Sequence, residues 1–136
     1  MPDSRRPRGL IDTSVVIDLD QIAEADLPLE LAVSAVTMAE LAAGPHATTE
    51  PAERARRQDR LQRAEATFDP LPVDVDVARA YGRVYAVVAA SGRKVRGRRT
   101  VDLLIAATAL AANLPVYTRN PDDFAGLSDL LDVVSI

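Results

Sequence analysis

Two carboxylates stand where the chain should be buried. Asp12 closes the run Gly9-Leu10-Ile11-Asp12-Thr13-Ser14, and Asp102 lies within Thr100-Val101-Asp102-Leu103-Leu104-Ile105-Ala106-Ala107-Thr108-Ala109. A carboxylate in apolar surroundings is costly unless positive charge sits beside it. Neither run supplies that charge, and a shared divalent cation would serve both. Glu40, in Thr37-Met38-Ala39-Glu40-Leu41, and Asp122 and Asp123, after Asn120-Pro121, are further acids at element boundaries. Like charges gathered in one place repel, and their pKa values rise unless a cation neutralises them. The chain has no cysteine, and His46 is its only histidine. That excludes a thiolate site, a histidine-built zinc site and any Ser-His-Asp triad without His46. What remains is hard oxygen, which suits Mg²⁺ or Mn²⁺. Such an ion lowers the pKa of a water and steadies charge on a phosphodiester in its transition state.

Each acid also has a structural explanation. Glu40 follows Thr37 by three, the capping-box spacing. Asp102 complements a helix dipole behind a Thr100 cap, and Asp12 makes an Asx turn or a helix cap. One of Asp122 and Asp123 is only solvated in a turn. His46 reads as an exposed bystander, and the arginines from Arg54 to Arg63 as a solvated face. The metal reading rests on the acids taken together.

The elements that must position them alternate. Leu10-Ile11 is a short buried strand, followed by a helix capped at Thr13 or Ser14 and running through Leu19. Leu31-Ala32-Val33 is a second strand. A helix opens at Thr37 and closes at Gly44-Pro45. Pro51 starts a long polar helix to about Phe68, with Leu61, Ala64 and Phe68 as its apolar stripe. Leu71-Pro72-Val73 is at best a short strand. Asp74 or Asp76 caps a helix carrying Val77, Tyr81, Val84 and Val88, ended by Gly92. Arg93 to Arg99 is a basic loop that draws a polyanion toward the Asp102 helix. That helix is apolar on every side and therefore central. Pro115 to Thr118 and Asp132 to Ile136 are the last strands. Strands alternating with helices predict an α/β fold with a mainly parallel sheet, its ligand site outside the carboxyl ends of the strands.

The totals agree with one ordinary globular domain: 136 residues, 48 % hydrophobic, 26 % charged, net charge −4. Residues 1–8 read as a flexible N-terminal tail and 9–136 as the domain. No apolar run has membrane-spanning length and no signal-peptide core follows the tail, so a cytoplasmic protein is expected.

Four motifs in order, across nearly the whole chain, resemble those of PIN-domain proteins, specifically the VapC toxins of bacterial toxin–antitoxin pairs. Leu10-Ile11-Asp12-Thr13-Ser14 resembles the family's opening strand and first acid. Thr37-Met38-Ala39-Glu40-Leu41 resembles the second motif, and Asp102 through Ala109 the third. Thr118-Arg119-Asn120-Pro121-Asp122-Asp123-Phe124 resembles the closing one. The resemblance implies a Mg²⁺- or Mn²⁺-dependent endoribonuclease. It implies a parallel sheet of about five strands flanked by helices, commonly a homodimer, and a cognate VapB-like antitoxin. Asp12, Glu40, Asp102 and Asp123 become the catalytic acids, with Asp12 and Asp102 the chief metal ligands. Asn120 stands where the family often has an acid and becomes a hydrogen-bonding residue. Thr13, Ser14 and Thr118 orient acids or water, and Arg96, Arg98 and Arg99 contact the RNA backbone. Helices near Val15–Leu19 and Leu61–Phe68 are expected to dock the antitoxin.

Three rivals were weighed. A non-catalytic module binding RNA or protein would not need the intact acids. A response-regulator phosphoacceptor would need an acid paired with Asp12, but Ile11 precedes it. A haloacid-dehalogenase-type phosphatase would want a second aspartate where Ser14 stands.

Overall fold

The computed structural model describes residues 4–136. Four strands, β1 (Arg8–Ile11), β2 (Glu30–Ala32), β3 (Val116–Thr118) and β4 (Val133–Ser135), form one sheet in the order β2-β1-β3-β4. Every pairing is parallel, with Leu10 level with Ala32 on one side and Val116 on the other. A parallel sheet is covered on both faces, so its strands are apolar on both. Leu10, Ala32 and Val116 face a core shared with Val84, Val88 and Leu103. Ile11, Val33 and Tyr117 face the opposite core, built with Val15, Leu41 and Ala64. Five helices supply these partners: α1 (Thr13–Ile17), α2 (Ala35–Ala43), α3 (Pro51–Thr67), α4 (Val75–Ala90) and α5 (Arg98–Ala111). No helix among the described residues is long and apolar enough to cross a membrane.

A fifth strand is reduced to one residue. Leu71 bridges Ser34 in parallel, its N–H donating to the Val33 carbonyl and its carbonyl accepting from the Ala35 N–H, both at 2.8 Å. Pro70 and Pro72 flank it, and a residue without an N–H cannot extend a ladder. The expected count of about five is thus four strands and this bridge.

Several expected boundaries move. β1 begins at Arg8, and the carbonyls of Arg6 and Pro7 accept from the Leu29 and Glu30 N–H groups at 2.9 and 3.0 Å. The flexible tail expected over residues 1–8 therefore does not reach residue 8; Met1 to Asp3 lie outside the described residues. Asp12 itself caps α1, accepting from the Val15 N–H, in place of Thr13 or Ser14. Ser34 caps α2 in place of Thr37. α5 starts at Arg98 behind Gly97, whose φ of 61° only glycine adopts freely, so Thr100 is not the cap. Glu40 and Asp102 thus fall in the second turns of their helices, where the dipole helps an anion less.

Gly9, in central β1, is a close approach. A Cβ there would lie 2.5 Å from Tyr117 Cε1 and 3.1 Å from Pro28 Cγ, and Tyr117 is itself buried. Gly9→Ala is expected to destabilise the fold by about 1–3 kcal/mol. The urea midpoint of the purified variant measures this, and an unchanged midpoint refutes it.

Candidate active site

Strand order places the site. β2 is laid on one flank of β1 and β3 on the other, so the direction of winding reverses between β1 and β3. Ligands of open parallel sheets bind at that reversal, beyond the carboxyl ends of the strands. Asp12 immediately follows β1, and Thr118 ends β3.

Asp12 is 4 % exposed. Its Oδ1 accepts from the Val15 N–H at 3.1 Å and from the Ser14 hydroxyl at 2.6 Å. The same Ser14 oxygen accepts from the Arg119 N–H at 3.1 Å, which ties the ends of β1 and β3 together through one side chain. Oδ2 receives no hydrogen bond among the described residues. Thr13 Oγ1 bonds Glu40 Oε1 and lies 3.0 Å from Thr37 Oγ1, so α1 holds the Glu40 carboxylate of α2. Behind them a buried contact couples α2 to α5. Thr108 donates its hydroxyl to the Leu104 carbonyl at 2.8 Å, so at the 3.2 Å contact between them it is Ser34 that donates to Thr108.

Asp102 is the outlier. It is 9 % exposed, yet among the described residues neither carboxylate oxygen receives a hydrogen bond or an ion pair. Burial pushes its pKa from 3.8 up to about 6, and the charges of Asp123, Glu40 and Asp12 push the same way; only Arg98, one turn earlier in α5, opposes them. These influences bring all four acids to one locus. They also separate Asp123, which is half-buried and acts on Asp102, from Asp122, which is exposed. Asp123 sits in a single helical turn, Pro121–Phe124, anchored by the buried ring of Phe124. Arg99 donates to its backbone carbonyl at 2.9 Å and so fixes that turn to the start of α5.

Buried Thr118 accepts from the Asn120 N–H at 2.9 Å. Asn120 is exposed, and its side chain caps nothing. Arg96 is exposed in the loop before α5 and makes no hydrogen bond or ion pair among the described residues. Val16, Leu19, Ala64 and Phe68, from the two segments expected to dock an antitoxin, line one groove of about 350 Å³ together with the charged Asp20, Arg56, Asp59, Arg60 and Arg63. The sequence reading missed Thr37, fully buried against Thr13 and treated there only as a cap; its place on the Glu40 face of α2 was the available signal.

The donor set suits a hard divalent cation: among the described residues, Asp12 has one carboxylate oxygen and Asp102 both without a hydrogen-bond donor. Among the described residues no three acidic or histidine side chains are gathered closely enough to hold an ion as they stand.

The family model for the PIN domain matches residues 10–130. Ribonuclease VapC5 of Mycobacterium tuberculosis (strain ATCC 25618 / H37Rv) is 41 % identical over 128 residues, covering 92 % of this chain and 91 % of the relative. Ribonuclease VapC8 of the same strain is 41 % identical over 102 residues, 74 % of this chain and 89 % of the relative. Among solved structures, the toxin–antitoxin system VapBC-5 from M. tuberculosis superposes with a TM-score of 0.84 at 39 % identity, covering 96 % of this chain and 99 % of the matched one. FitAcB from Neisseria gonorrhoeae gives 0.69 at 26 % identity, covering 93 % and 96 %. The chain belongs to the PIN-domain family and, within it, to the VapC ribonucleases.

The raised pKa of Asp102 has a signed consequence for stability. The folded state binds the Asp102 proton more tightly than the unfolded state does, so stability falls as pH rises from about 4 to about 6, and the penalty is complete above that. Asparagine, neutral throughout, escapes it. In metal-free buffer at pH 7.5, Asp102→Asn is expected to be more stable than the parent by about 1–3 kcal/mol, with the gain vanishing near pH 4. Denaturant titrations at the two pH values measure it; a difference independent of pH overturns the assignment.

Proposed function

We propose that the protein is an endoribonuclease and the toxin of a VapBC-type pair, hydrolysing RNA phosphodiester bonds at the acidic pocket with Mg²⁺, or Mn²⁺ in its place. The observation that carries this reading is Asp102, a largely buried carboxylate that receives no hydrogen bond among the described residues and whose pKa is raised first by burial and then by the charges of Asp123, Glu40 and Asp12. Its oxygens still reach solvent, so a cation can meet them.

Asp12 and Asp102 would be the chief residues to hold the ion. When bound, the ion lowers the pKa of an attacking water and offsets charge building on the phosphoryl oxygens. Ser14 fixes one oxygen of Asp12, so its carboxylate cannot turn away. Thr13 holds Glu40 toward the pocket, and Phe124 and Arg99 hold the turn carrying Asp123. Glu40 and Asp123 accept hydrogen bonds from water and complete the negative wall. Arg98 and Arg99, in the first turn of α5, lie at the rim on the side of Asp102 and Asp123, where an RNA phosphate would pass; Arg96 meets the backbone further out. Thr118 and Asn120 lead into the turn that carries Asp123.

The partner is a VapB-like antitoxin, the relatives having been solved as toxin–antitoxin complexes. An apolar face of such a partner would cover the groove between α1 and α3. The working form is a homodimer in the cytoplasm.

Purified protein free of antitoxin is expected to cut total cellular RNA into discrete products with 5′-phosphate and 3′-hydroxyl ends in Mg²⁺ or Mn²⁺, and not in EDTA. Asp12→Asn and Asp102→Asn, each verified as folded, are expected to lose at least about 100-fold in rate. Gel analysis with end-group labelling decides. No cleavage by folded parent protein in either metal, or full activity in the variants, refutes the reading.

A further inference from the structure

Beside the acidic pocket lies a second cavity of about 380 Å³, lined by Thr13, Ile17, Glu40, Arg57, Arg60 and Arg98 among others. It shares Glu40 and Thr13 with the active site and lies between α2, α3 and the start of α5. The arginines of α3 are not a uniform solvated face. Arg54 donates to the Pro45 and Thr48 carbonyls at 3.0 and 2.9 Å. Arg56 pairs with Glu53 at 2.6 Å, and Arg63 with Asp59 at 3.0 Å. Arg57 bonds Glu53 at 3.0 Å and the Gly44 carbonyl at 2.9 Å, which clamps α3 to the end of the Glu40 helix. Arg60 alone in this set makes no hydrogen bond or ion pair among the described residues, although it is half-buried. Across the cavity Arg98 is likewise without a hydrogen bond or ion pair among the described residues. Two guanidinium groups without a hydrogen bond or ion pair among the described residues, half-buried Arg60 and exposed Arg98, which also acts on Asp102, thus line one cavity together with Glu40. Guanidinium is the side chain best matched to a phosphate diester, which it can grip with two parallel N–H donors.

We propose that this cavity is a phosphate subsite for the RNA strand, in which Arg60 and Arg98 hold the backbone phosphate next to the one being cleaved, on the Glu40 side. The proposal rests on the nuclease reading above and extends it from the basic loop to α3. Strand path and cleavage register are then set by both walls of the cavity: Arg98 enters from the α5 rim, and Arg60 comes from a helix outside the four family-like motifs. Arg57, already bound, is a positioning residue that keeps α3 at the right height.

The test uses the whole protein and a fluorescein-labelled, mixed-sequence single-stranded oligoribonucleotide. Binding is measured in the non-cleaving Asp102→Asn background between 50 and 200 mM salt, with and without Arg60→Gln. Loss of one phosphate contact is expected to weaken binding about 3- to 10-fold at low salt and to reduce the slope of log K against log salt by about 0.7. Arg60→Lys is expected to restore most of the slope, because it keeps the charge; Arg79→Gln, on α4, is expected to change nothing. With Asp102 intact, Arg60→Gln is expected to raise KM for RNA cleavage with little change in kcat. Parent protein that cleaves while Arg60→Gln keeps both slope and KM overturns the subsite alone. Parent protein that never cleaves, but binds the oligoribonucleotide through Arg60, overturns the nuclease reading and leaves the subsite standing. Unchanged RNA binding together with Arg60-dependent binding of poly-glutamate assigns the cavity to an acidic protein segment and overturns the proposal.

Discussion

The constraint on which the site depends is the burial of a carboxylate, Asp102, within reach of three others. Asp12, Glu40, Asp102 and Asp123 reach one locus from four separate elements, and their charges together with burial raise the pKa of Asp102. Charge alone would push such groups apart. They are held by a scaffold that gives each its own restraint: Ser14 and the Val15 N–H for Asp12, Thr13 for Glu40, the Phe124 anchor and Arg99 for Asp123. Asp102 has no such restraint and is carried by the buried α5 backbone itself. The burial of α5 between sheet and α4 is what keeps the charge in place, so apolar packing opposes electrostatics directly.

The start of α5 shows the same trade. Arg98 and Arg99 occupy its first turn, where unpaired N–H groups disfavour cations. A helix optimised for stability would carry acids there. The arrangement makes sense once Arg98 is seen as the only positive influence on Asp102 and Arg99 as the fastening of the Asp123 turn. Local helix preference yields to the needs of the site, as it does at functional positions generally.

Much of this was legible in the residues. The apolar runs ending at Ile11 and around Val116 mark buried parallel strands, and Asp12 and Asp102 stand out because their surroundings are so apolar. Cap positions were misread for one reason. Thr13, Thr37 and Thr100 are all good capping residues, and sequence offers no means of choosing among neighbouring candidates. Asp12, Ser34 and Gly97 won because strand ends and the left-handed turn at Gly97 fix where each helix can begin. The consequence for the site was a shift of one turn: Glu40 and Asp102 are held less by helix ends than by the side chains around them. The arginines of α3 needed the structure, since periodicity cannot distinguish a guanidinium spent on a backbone carbonyl, as in Arg54 and Arg57, from one with no partner, as in Arg60.

Pro70 and Pro72 have an effect beyond shortening a strand. An open parallel sheet ends in a row of unpaired N–H and C=O groups that can recruit any extended chain. Here the flank beyond β2 meets Leu71 at a single point and then two imide nitrogens that cannot donate. That flank is thereby blunted against strand addition, while β4 remains the other edge of the sheet. A small protein with a parallel, strongly apolar sheet of this kind risks self-association through that flank, and the proline pair provides a barrier to it that costs the fold only a few ladder bonds.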